Sequence, residues 1–380
     1  MPRKLGPPMP FFWTVAKTAR MRVVDSPCPP RQAPRVISDS QLRELAAASA
    51  RIGRDPLLIQ GPGGNTSIKD ADELWVKASG LWLSDADDRQ VFVPLARAAL
   101  VDPDGSPRLE IGADAVIAER NAADLRPSIE TALHALMPHP VVFHAHAVNA
   151  MATAVLADGE ARAGRALAGL SWRWVPYCRP GADLARGVLD AIAGGGADVL
   201  LLQNHGVVVG ADTPAAAEAL LHEVEARLDL PARPLAADAA LATLDHEDFE
   251  LHPAASAIAH DDVAVAVLTR YALVPDQIVF LGGAVPSVGS VAQLTDTAAR
   301  CAEATGVSPA LILIPGVGGV AARNRSAGAE TMIGALIEIA RRIPAGADVR
   351  GLDNAAIASL LGWDAEHHRR ALDAARSRIV

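Results

Sequence analysis

The apolar positions of this chain recur at two spacings, and the switches between them outline alternating helices and strands. Ser38-Asp39-Ser40 followed by QLRELAAASARIG predicts an N-cap and an amphipathic helix ended by Gly53. A Gly-rich turn at 61–70 (GPGGNTSIKD) leads into a strand, and LWVKASG (74–80) reads as a further strand ending in a small-residue loop. Pro127, Ser128 and Glu130 mark a helix start at PSIETALHAL, and the β-branched run 141–146 reads as a strand. NAMATAVLA and ARAGRALAGL continue as helices. The apolar run Asp198–Gln203 reads as a buried strand that stops at Asn204-His205-Gly206, after which Thr213-Pro214 caps a helix over roughly 214–228. Beyond an Ala-, Asp- and Pro-rich stretch at 231–256, strands are expected at Gln277–Leu281 and Ala310–Ile314, and helices near 290–304 and 328–342. No repeat of solenoid period is present.

This pattern predicts an α/β protein: a loose N-terminal tail (1–37, with prolines at 27, 29, 30 and 34), a domain over 38–232, a linker (233–256), and a smaller C-terminal α/β domain of unknown role (257–380). Half of the 380 residues are apolar and 21% are charged, the composition of a chain with a sizeable core. A net charge of −9 argues against a broad footprint for nucleic acid or an anionic membrane, while leaving room for a local basic pocket. Cys28, Cys178 and Cys301 are far apart and odd in number, so no disulfide framework is read and a cytoplasmic location is expected. No apolar run is long enough to span a bilayer. The first residues lack the long apolar stretch and small-residue cleavage site of a signal peptide, and Met21 is an alternative start.

The candidate chemistry sits at strand ends. Residues two apart on a strand share a face, so His144 and His146 project side by side. His205 follows a third apolar strand, between Asn204 and a tight Gly206. Three imidazoles leave coordination positions open for a substrate, and nitrogen donors suit zinc first, with manganese, cobalt or iron as alternatives. A lone HxH is more often an ordinary strand pair. Glu130 upstream, in the order E-x3-H-x9-H-x-H, and the NHG turn downstream shift the reading to a metal site. Other signals are set aside. Gly316–Ala321 formally fits G-x-G-x-x-A, but no uninterrupted helix opens there, so a tight strand-to-loop turn is expected. HED (246–248) and AHDD (259–262) read as solvated loop, Glu366-His367-His368-Arg369-Arg370 as a charged helix face, and Trp172 with Trp174 as one strand face.

Taken together, FHAH (143–146), LLQNHGVVVG (201–210), PGGNTSIKD (62–70), KASG (77–80) and PSIE (127–130) resemble the class II aldolase/adducin family across about 55–230. More narrowly, 38–380 is similar to the rhamnulose-phosphate-aldolase-like proteins found fused to short-chain dehydrogenases. The resemblance implies an α/β/α domain with a central mixed sheet, a divalent ion on His144, His146 and His205, and Glu130 as acid/base. It implies reversible aldol cleavage of a small ketose phosphate or sugar acid through a metal-stabilised enediolate, in a homo-oligomer, a tetramer by analogy. Gly64, Asn65, Ser67, Ser79, Gly80 and Ser128 match positions that hold a substrate phosphate, where glycine-exposed amides and small hydroxyls make an anion cradle, and Lys77 adds charge. Epimerisation, decarboxylation or dehydration would use the same site. An adducin-like non-catalytic binding protein, or an oxidoreductase acting through the C-terminal part, are the alternatives from other classes. The family's second proton donor is a tyrosine from a neighbouring subunit. None stands at 168–174 here, and Tyr177 matches a structural position.

Overall fold

The computed structural model describes residues 37–235 and 243–376. The expected tail, apart from Ile37, lies outside the described residues. Helix α1 (Asp39–Arg54) opens on a reciprocal cap, with the Gln41 amide donating to Ser38 Oγ (3.3 Å) and the Ser38 amide to Gln41 Oε1 (3.0 Å). The helix runs one residue past Gly53. That glycine is needed for contact instead: a Cβ there would lie 2.4 Å from the Ser84 amide nitrogen.

Three strands follow, β1 (Asn65–Lys69), β2 (Glu73–Lys77) and β3 (Phe92–Ala96). Then come α2 (Thr131–Leu136), β4 (Val141–Ala145), α3 (Val148–Ala154), α4 (Gly159–Ala166), β5 (Trp172–Val175), α5 (Ala182–Ile192), β6 (Val199–Leu202), β7 (Gly206–Ala211) and α6 (Pro214–Arg227). The strands form one seven-stranded sheet in the order β3-β2-β1-β4-β7-β6-β5. Every pair is antiparallel except β5 with β6, so the sheet is mixed. Its central strands are buried on both faces, which accounts for the unbroken apolar runs. Val141, Phe143 and Ala145 join a core with α1 and α6, while Val142 points to the other side, toward Leu133 of α2 and Leu184 of α5. Helices on both faces give the α/β/α layering.

The remainder contains β8 (Phe249–Leu251), α7 (Pro253–Ile258), α8 (Asp262–Arg270), α9 (Pro275–Leu281), α10 (Leu294–Thr305), β9 (Leu311–Ile314), β10 (Gly318–Ala322), α11 (Ala327–Ala340), α12 (Asn354–Leu361) and α13 (Asp364–Arg376). A three-stranded antiparallel sheet, β8-β10-β9, carries the turn at Gly316 (φ +70°) as a hairpin. Two expectations fail here. Gln277–Leu281 is helical, because Pro275 fits the first helical turn and Gly282 (φ +86°) ends it in the left-handed region. The stretch 233–256 holds β8 and the start of α7 and is more than a linker.

The two parts share a core. Met151, Val155 and Leu156, on α3 and just beyond it, pack with Leu268, Leu273 and Leu336 in a single apolar cluster. The described residues accordingly form one compact unit. Among the described residues, no single helix is long and apolar enough to cross a membrane.

Candidate metal centre

Strand β4 delivers the first two imidazoles. His144 sits on the strand and His146 one residue past its end, and their Nε2 atoms lie 3.2 Å apart. The third comes from the β6–β7 turn, where Leu202 pairs with Gly206 and Asn204 takes a left-handed conformation (φ +53°). Gly206 permits the approach: a Cβ there would lie 2.4 Å from the Ala145 carbonyl oxygen. His205 thereby reaches the pair, and one ring nitrogen from each histidine lies within 4.8 Å of the others. All three rings are buried.

Glu130 completes the cluster at the N-cap of α2. Its Oε2 lies 3.4 Å from His144 Nε2 and its Oε1 3.4 Å from His205 Nε2. Asn65 Nδ2 donates to Oε2 at 2.8 Å, whereas Oε1 is buried without a hydrogen-bond partner. Burial pushes His205 down to about 3 and His144 down as well, so the rings are neutral donors at pH 7. Burial also opposes ionisation of Glu130, but the facing His144 and His205, with the Asn65 amide, outweigh it and hold the carboxyl down at about 2. His144 Nδ1 donates to the Val207 carbonyl (3.1 Å), leaving Nε2 as the free donor. Three imidazoles and an under-satisfied buried carboxylate oxygen converging on one point are a donor set that fits a divalent cation.

The expected anion cradle is only partly assembled. Gly64 (φ +61°), Asn65, Lys77, Ser79, Gly80 and Ser128 line one cavity with Glu130, His146 and His205. Ser67 is set apart from it: its hydroxyl is paired with His134 Nδ1 (2.7 Å), and neither residue lines the cavity. Lys77 is committed to the loop, donating to the Pro62 (2.7 Å) and Gly64 (2.9 Å) carbonyls, and burial lowers it to about 7. Ser128 Oγ accepts from the Glu130 amide (3.2 Å) and thus sets the approach of that residue.

Two cavity residues come from the C-terminal region and were missed by the sequence reading. Asp276, on α9, places Oδ2 3.0 Å from His146 Nδ1. Arg369, on α13, lies 3.0 Å from Asp276 Oδ1 and 2.9 Å from Glu366 Oε2. Burial opposes the charge on Asp276, yet Arg369 and His146 hold its carboxyl well below the usual range. The EHHRR segment is therefore no solvated face throughout. Glu366 and Arg369, three apart, turn inward, and only their i,i+3 spacing hinted at it.

Residues 43–230 match the family described as the class II aldolase and adducin N-terminal domain. Over that stretch the chain belongs to the class II aldolase and adducin family, and its mixed sheet with flanking helices is the class II aldolase fold, extended by a C-terminal region with a smaller sheet. Class II aldolases use a divalent metal, and the His144, His146 and His205 triad could bind one. An uncharacterized oxidoreductase of Bacillus subtilis is 30% identical over 185 residues, covering 45% of this chain but only 27% of that protein. Among solved structures, the N-terminal class II aldolase domain of a conserved Thermoplasma acidophilum protein is 26% identical (TM-score 0.42), covering 52% of this chain and 96% of that one. An L-fuculose 1-phosphate aldolase is 21% identical (TM-score 0.36), covering 50% and 84%.

Proposed function

We propose that this chain is a divalent-metal-dependent aldolase acting on a small ketose phosphate or sugar acid. His144, His146 and His205 would hold the ion, with zinc the first candidate by donor type. The observation that carries the reading is the convergence of three buried imidazoles with the Glu130 carboxylate, in a cluster of which His146, His205 and Glu130 open onto one cavity. A bound divalent cation supplies Lewis acidity, which lowers the cost of the negative charge left when a bond next to a carbonyl is cleaved.

The protein groups do the rest. Glu130 is ionised and anchored through one oxygen by Asn65, so its other oxygen is free to take a proton from a substrate hydroxyl and return it to carbon. Asn65, Ser79 and Ser128 line the cavity and orient a polyol, while the Gly64 and Gly80 loops expose backbone to an anionic group. Burial of the cluster keeps competing water out.

Glu130→Gln separates binding from chemistry. The variant is expected to retain its metal and to lose turnover by about a hundred- to ten-thousand-fold. Cleavage of a panel of sugar phosphates and sugar acids, with metal content measured for both proteins, reads this out. Full activity in the variant would remove Glu130 from the proton step. A second reading, epimerisation at the same site, is favoured by one observation. The chain has only two tyrosines, Tyr177 and Tyr271, and neither stands at 168–174, where the resemblance puts the tyrosine that a neighbouring subunit would lend to the aldol step. Product analysis in the same screen separates the two reactions.

A further inference from the structure

The matched family domain ends at residue 230, yet one imidazole of the cluster is contacted by a carboxylate from well beyond it. His144 Nδ1 is oriented by a carbonyl within the sheet, Val207 O at 3.1 Å. His146 finds no such partner in its own domain. Its Nδ1 faces Asp276 Oδ2 at 3.0 Å, off the line of a hydrogen bond, so that this oxygen is buried without a hydrogen-bond partner, while its Nε2 points to the cluster.

We propose that Asp276 is a positioning residue of the metal centre, fixing the ring and tautomer of His146 so that Nε2 is presented to the ion. This rests on the metal-binding reading above. Metal-ligating histidines usually donate the far ring N–H to a carboxylate or carbonyl, which fixes ring orientation and raises ligand basicity. Asp276 lies within reach of that bond, which a small turn of either side chain would close. It lies in the first turn of α9, is almost wholly buried, and is held on its other oxygen by Arg369, itself paired with Glu366. A relay thus runs from α13 through α9 to β4. A second tie points the same way: Asn204, next to His205, donates to the Leu273 (2.8 Å) and Arg350 (2.7 Å) carbonyls. The C-terminal region therefore braces two of the three imidazoles, and its role is to complete the centre.

The test is zinc affinity, measured by chelator competition on the full chain and on Asp276→Asn, an isosteric neutral variant. The expected result is a loss of about 10- to 100-fold in affinity. A purely structural role would lower the thermal stability of the zinc-free chain and leave the affinity unmoved. A folded D276N that binds zinc as tightly as wild type overturns the assignment while leaving the metal site standing. A wild-type chain that takes up none of zinc, manganese, cobalt and iron overturns the metal reading itself, and this inference with it. If D276N does not fold, ring-15N histidine NMR of the zinc-loaded wild type decides. A slowly exchanging Nδ1–H on His146 supports the assignment, and a rapidly exchanging one overturns it.

Discussion

The domain over 43–230 and the region over 243–376 meet at the same cavity but bring different things to it. The first supplies donors on stiff strands: His144 on a buried central strand, His205 on a turn fixed by a backbone contact that only glycine allows. The second supplies restraint. Asp276 faces His146, Arg369 holds Asp276, and the carbonyls of Leu273 and Arg350 accept from Asn204 beside His205. Ligands alone define a metal preference, whereas their orientation depends on what holds the far side of each ring. The cavity is thus lined from a part with a recognisable sequence pattern and a part without one.

The largest expected effect tests that division directly. His205→Ala deletes a donor, so its zinc affinity should fall by more than about a hundredfold, beyond the range for loss of an orienting partner. Chelator competition on H205A beside D276N gives the ranking. If H205A binds zinc as well as D276N does, His205 is no ligand and the two regions do not differ in kind.

The same contrast explains what could be read from the sequence. The β4 strand was legible because apolar residues flank two histidines at the spacing that shares a face, and the NHG turn because an unbroken apolar run stops there. Both signals are local. Asp276 was hidden because VPDQIVFLGG looks like a strand by its β-branched content. The helix is set instead by Pro275 at its start, Gly282 at its end, and burial of every residue between. Arg369 was hidden because charged residues spaced i,i+3 look alike on a solvated face and a docked one. The inward face of α13 meets Asp276, 93 residues away from Arg369, and no window on the sequence contains both. Ser67 was misplaced for a similar reason: its motif position marks the loop, but His134 claims its hydroxyl.

A smaller effect is expected at the tie beside His205. Asn204→Ala removes one buried and one partly buried hydrogen bond and strands the Leu273 and Arg350 carbonyls, which should cost about 1–3 kcal/mol. Alanine also fits the left-handed backbone poorly, adding about 1–2 kcal/mol. Asn204→Gly separates these, since glycine keeps the backbone at ease and loses only the amide. Urea unfolding of both variants reads the difference. A glycine variant as stable as wild type would mean that the seam between the regions is held elsewhere.

The smallest effect should come from the rim of that seam. Arg376, in the last turn of α13, pairs with Asp85 (3.1 Å for Nη2 to Oδ1) and lies 4.4 Å from the Trp82 ring centroid. Both charges are partly exposed, so water already solvates them and the pair contributes about 1 kcal/mol or less, with a comparable amount from the ring contact. Arg376→Gln should therefore shift the urea midpoint slightly and leave zinc affinity unchanged. The comparison with Asn204→Gly carries the point. If docking of the C-terminal region depends on buried contacts near the histidines, the interior variant costs more than the rim variant. A reversed order would make α13 a strap fastened at its edge, and the burial of Arg369 a consequence of that fastening.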